Sequence, residues 1–92
     1  MTRKQKRLQR IRNNPKNVHP DDLQRILEDH GFELVRIRGS HHAFAGFVGR
    51  EERNIIIPIH SKVVKTVYVR EVLALIDEIE ALSEDGTSHD EA

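Results

Sequence analysis

The chain has 92 residues, with 15 Lys and Arg balanced by 15 Asp and Glu, six His and no Cys; 37% are apolar and 4% aromatic. That length suits one small domain and excludes a multidomain enzyme with a deep cleft between lobes. Without cysteine there is no disulfide scaffold, thiolate zinc site or cysteine nucleophile, and no apolar run approaches the ~20 residues of a membrane helix. The polar, basic start lacks the apolar core of a secretory signal, so the expectation is a cytoplasmic domain without a membrane partner.

The balanced total hides a gradient. Residues 1–16 carry seven cations (Arg3, Lys4, Lys6, Arg7, Arg10, Arg12 and Lys16) and no acid, whereas residues 77–92 carry seven acids and no Lys or Arg. Residues 1–76 therefore hold 15 cations against eight acids. Such asymmetry points to a polyanionic partner, with an acidic segment able to screen or compete with it. The plainer reading is that both ends are solvated.

In chain order, Leu8 and Ile11 give residues 3–13 a thin apolar stripe among cations, which predicts a helix. Asn13-Asn14-Pro15-Lys16-Asn17 breaks it, because Pro15 moves Asn14 out of the helical region. Removal of residues 1–16 is accordingly expected to weaken retention of that polyanion without unfolding residues 18–82. A second helix is expected over roughly 20–30, with Pro20 at its first position and Asp21 and Asp22 in its first turn. Leu23, Ile26 and Leu27 form its apolar face, and Gly31 ends it. Three strands follow. Phe32–Arg38 alternates loosely, with Phe32, Leu34 and Arg36 on one face and Val35 and Ile37 on the other. After Gly39-Ser40 comes His42–Val48, then a turn over Gly49–Glu52 and a β-branched strand over Asn54–Ile59. The last helix is capped by Thr66 and carries Val69, Val72, Leu73, Ile76 and Ile79 on one face, widened by Leu75 and Leu82. From Ser83 the chain is polar and acidic, which predicts disorder. The expected organisation is a basic helix and turn over 1–17, a domain over 18–82 and an acidic disordered tail over 83–92. Its class is α+β.

Four histidines, His30, His41, His42 and His60, flank or occupy the strands. His41 and His42 are adjacent at the opening of a strand, so their rings point to opposite faces. Histidine titrates near neutrality, which suits proton transfer in RNA or ester cleavage. Arg36, Arg38, Arg50, Arg53, Lys62 and Lys65 surround the segment and are candidate phosphate binders. A serine-hydrolase triad lacks any visible nucleophile–base arrangement. A zinc site from His41 or His42 with His60 lacks a close His pair or a thiolate. The five scattered glycines form no phosphate loop. No cofactor is implied. A strand histidine with a structural role is the plain alternative throughout.

At Gly39-Ser40-His41-His42-Ala43-Phe44 the sequence resembles the HicA family of bacterial toxins. The resemblance extends over residues 18–82. Leu23–Gly31 followed by Phe32 is similar to the family's first helix ending in Gly-Phe. Ile57-Pro58-Ile59-His60 resembles its Pro-x-His, and Val69-Arg70-Glu71-Val72-Leu73 its closing helix. Asn14-Pro15-Lys16-Asn17-Val18 is similar to a longer subgroup with an extra N-terminal segment. Members are small ribonucleases that cleave mRNA and are neutralised by an antitoxin, HicB.

The resemblance implies a fold like a double-stranded-RNA-binding domain: helix, three-stranded antiparallel sheet, helix, here with an added N-terminal helix. It also implies that His42, the second of the doublet, is the catalytic general base or acid. His41 and His60 are candidate assistants, alongside water. Arg36, Arg38, Ser40 and Lys62 are the residues expected to hold RNA, with no metal and no cofactor required. Two features depart from the family: the acidic tail, and acidic Glu51-Glu52 in the Val48–Arg53 loop. The alternative reading is a non-catalytic RNA-binding or protein-interaction module on the same fold. A DNA-binding regulator fits less well, because no recognition helix is evident.

Overall fold

The computed structural model describes the backbone of residues 2–91 and the side chains of residues 2–82, so the side chains of the expected acidic tail over 83–92 lie outside the described residues. The elements are α1 (Arg3–Asn13), α2 (Pro20–Asp29), β1 (Glu33–Arg38), β2 (His41–Val48), β3 (Glu51–Pro58) and α3 (Thr66–Glu91). The strands form one antiparallel sheet in the order β1-β2-β3. This is an α+β arrangement with an additional N-terminal helix.

Local chemistry sets the boundaries. Thr2 caps α1 reciprocally with Gln5: the Gln5 amide donates to Thr2 Oγ1 at 3.1 Å and the Thr2 amide donates to Gln5 Oε1 at 2.9 Å. Pro20 starts α2, with the ring of His19 accepting from the Asp21 amide. Gly31, at φ +88°, turns the chain after it. Both hairpins close through two-residue turns that begin with a glycine at positive φ, Gly39 at +60° and Gly49 at +63°, and no other residue type has positive φ among the described residues. That is the pattern of a II′ turn, which suits the twist of a hairpin.

Two expectations are corrected here. The turn at Gly49 is shorter than the sequence suggested, so β3 begins at Glu51 rather than Asn54. Thr66 does not cap α3; it is the first helical residue, and the Lys65 carbonyl accepts from the Tyr68 and Val69 amides.

A third correction concerns faces. The β1–β2 register slips between Leu34 and Arg36, with Leu34 opposite Phe44 and Arg36 opposite Ala43. Val35 is the extra residue of a bulge, so strict alternation fails there. Leu34 and Ile37 therefore share the helix-covered face, and Arg36 and Arg38 share the open one.

The core lies between the sheet and the helices. Phe44, Gly46 and Val48 alternate inwards along β2, with Ile57 from β3. They meet Leu23, Ile26, Leu27 and Phe32 from the α2 region and Val69, Val72, Leu75 and Ile76 from α3. Leu8 and Ile11 of α1 are buried in the same cluster, at 7% and 3% exposure. The first helix is thus part of the core, not a detachable arm.

Gly46 is required by packing. A Cβ there would meet the Phe32 ring at 2.6 Å and the Gly31 carbonyl oxygen at 2.9 Å. Gly46→Ala is expected to destabilise the fold by about 1–3 kcal/mol, read as a lowered midpoint of denaturant unfolding. An unchanged midpoint would show that the Phe32 ring can move aside freely.

Candidate active site

The Gly39-Ser40 turn sets the doublet at the start of β2. Because successive strand residues point to opposite faces, the two rings part company as expected. His41 is exposed on the open face, opposite Arg38 on one side and Pro58 on the other. His42 is half-buried on the helix side, opposite Ile37 and Ile57. The doublet cannot offer both rings to one atom.

The Ser40 carbonyl organises His42. It lies 3.2 Å from His42 Nδ1 and also accepts from the Ile59 amide at 2.8 Å. A carbonyl oxygen only accepts, so Nδ1 carries the hydrogen and donates. Nε2 is then the basic nitrogen of the neutral ring and an N–H donor when the ring is charged. The same carbonyl ties the start of β2 to the end of β3, where the chain departs towards His60 and Lys62.

The surroundings of His42 are asymmetric. Ile57 is completely buried, while Ile37 is 56% exposed although it lies on the helix-covered face. Leu34 packs against the core but Ile37 does not, so the helices leave this end of β1 uncovered and half-buried His42 stands at the border between core and solvent. Ile37 offers an apolar surface beside that ring. Alternation alone hid this neighbour, because the bulge at Val35 changes the side on which Ile37 falls.

The other expected site residues divide between the faces. Arg36 and Arg38 join His41, not His42. With Val35, Ala43, Asn54 and Ile56 they line a groove of about 420 Å³ on the open face of the sheet. Ser40 serves through its backbone carbonyl. His60 and Lys62 are exposed in the segment after β3, whose Val64 amide is anchored to the Val18 carbonyl at 2.9 Å.

Arg53, on the helix-side face, is already engaged. It pairs with Glu51 and with Glu78 at 3.1 Å, joining β3 to α3. The hydrogen bond to Glu51, followed by that to Glu78, raises its pKa above the ordinary arginine value. Among the described residues no three His, Asp or Glu side chains gather as a metal-binding group.

The family model for the HicA toxin of bacterial toxin-antitoxin systems matches residues 20–77. The chain belongs to the HicA toxin family. The match runs from the first residue of α2 into α3, leaving α1 and its turn as an N-terminal extension. Family membership makes this chain the toxin of a toxin-antitoxin system and implies an antitoxin as its protein partner. No curated protein and no solved structure matches it. Among the described residues no helix is long and apolar enough to cross a membrane.

Proposed function

We propose that this HicA toxin is an endoribonuclease that cleaves mRNA in the cytoplasm through His42 and is inhibited by a HicB-like antitoxin. The observation carrying the reading is the orientation of His42: Nδ1 donates to the Ser40 carbonyl at 3.2 Å, and the ring stands beside exposed Ile37.

RNA supplies its own nucleophile, the 2′-hydroxyl beside each phosphodiester. Cleavage then needs a base to take that proton, an acid for the departing 5′-oxygen and cations for the phosphate oxygens. Neutral His42 takes the 2′-hydroxyl proton at Nε2. The Ser40 carbonyl holds the ring so that this step spends no free energy on orienting it. Lys62 is assigned to the phosphate oxygens, and His60 or water to the second proton transfer. None of these roles calls for a metal ion.

Arg36 and Arg38 lie on the opposite face, so their role is to bind RNA that continues round the β1 edge. His41 shares their face and belongs with these contacts, not with proton transfer at His42.

The open-face groove favours the second reading, a binding module, because it is apolar and carries no His42 contact. The two readings separate on expression. Wild type is expected to arrest growth of the host cell, and His42→Ala at matched levels is expected to be tolerated. Equal toxicity would remove His42 from the mechanism.

A further inference from the structure

The seven cations of residues 1–16 do not share one role. Arg7 donates to Asp29 at 2.5 Å, with both side chains at least four-fifths buried. Arg12 reaches Asp77 at 2.7 Å and Glu80 at 3.1 Å. These two hold α1 to α2 and α3 beside buried Leu8 and Ile11. Arg3, Lys6 and Arg10 are exposed on the opposite side of the helix.

Their spacing of three and four residues stacks them in one stripe about 10 Å long, at ~1.5 Å per residue. No acid precedes Asp21 in the chain to relieve them. Arg10 has only a loose, exposed approach to Asp22 at 3.9 Å, the kind of pair worth about 0–1 kcal/mol.

A face kept merely for solubility intersperses both signs. Here like charges at i, i+3 and i, i+4 repel one another and weaken the helix that bears them. The helix nevertheless presents them in register, rigidly docked by its inner face. Their repulsion is relieved by a linear polyanion lying along the stripe.

We propose that Arg3, Lys6 and Arg10 form a second RNA contact, gripping the phosphodiester backbone at a distance from His42. The assignment rests on the RNA reading above and adds to it that the toxin favours long RNA over short fragments. A transcript spanning both contacts releases more counterions than one filling the His42 site alone.

The test uses the full chain and a 2′-O-methyl oligoribonucleotide of mixed sequence, which lacks the attacking hydroxyl and so stays intact. Affinity is measured across a salt series for wild type and for Arg3→Gln/Lys6→Gln/Arg10→Gln. Glutamine keeps the helix propensity, and Leu8, Ile11, Arg7 and Arg12 are untouched. Three phosphate contacts to a single strand contribute about −2 to the slope of log affinity against log salt. Wild type should therefore lose about 20-fold more affinity than the variant over a fourfold rise in salt.

Identical slopes and affinities would overturn the proposal, as would capture of anionic lipid vesicles in place of RNA. The outcome is separable from the catalytic reading. His42-dependent cleavage with identical slopes rejects the stripe alone. A slope difference in a protein that cuts no RNA supports the stripe and rejects catalysis.

Discussion

Alanine in place of His42 is expected to lower RNA cleavage by about 10²–10⁴-fold, the span associated with a positioned general acid or base. The ring is half-buried beside Ile37, which is itself more than half exposed, so its removal costs little packing. The melting temperature should move by only a few degrees. His42→Asn gives the sharper reading. Its amide nitrogen lies where Nδ1 does and can donate to the Ser40 carbonyl, but it offers no basic nitrogen to accept a proton. If the histidine only braced the start of β2, asparagine would restore activity. If it moves protons, asparagine is as inactive as alanine.

The second large effect falls on stability. Deleting residues 1–16 removes Leu8 and Ile11, two members of the central cluster. Truncating one buried Leu or Ile to alanine costs about 2–5 kcal/mol. Losing both approaches the total of about 5–15 kcal/mol that holds a small domain. The sheltered Arg7–Asp29 pair goes with them and leaves Asp29 without its cation. The truncated chain is expected to melt at least about 15 °C lower than the full one, or to show no cooperative transition. Leu8→Ala/Ile11→Ala, which keeps every cation, should reproduce most of this loss. A truncated protein that melts within a few degrees of wild type would show that α1 merely rests on the domain. The same comparison warns against reading lost RNA binding in a truncation as an effect of charge alone.

The elements themselves were legible in the sequence because their punctuation is strong. Pro15 and Pro20 bracket the turn between the first two helices, and glycines at 31, 39 and 49 take the positive φ values that end a helix or open a hairpin. The apolar spacing of α3 marks its buried face, with Val69, Val72 and Ile76 completely buried. The opposed rings of His41 and His42 follow from strand geometry alone.

What escaped was everything set by partners distant in sequence. The bulge at Val35 depends on how β1 pairs with β2, and it exchanges the faces on which Arg36 and Ile37 lie. The engagement of Arg53 by Glu78 needs α3 folded back over β3. The burial of Leu8 and Ile11 depends on a groove between α2 and α3 that no local pattern reveals. Two apolar residues among seven cations look like a weak helix until the acids that receive Arg7 and Arg12 are in place.

These differences reshape the candidate site more than the fold. A single basic surface round the histidine doublet gives way to two faces. One holds His42, whose partner, the Ser40 carbonyl, also accepts from the Ile59 amide at the end of β3. The other holds His41, Arg36 and Arg38 above a shallow apolar groove. RNA that uses both must cross the β1 edge, where Ile37 is uncovered.

The most direct test of the central claim is incubation of a long end-labelled RNA, in EDTA, with purified wild type and His42→Ala side by side. Wild type alone is expected to cut, leaving 5′ fragments that end in a cyclic phosphate or its hydrolysis product. Equal cutting by both proteins, or no cutting by either while both retain the RNA, would contradict it.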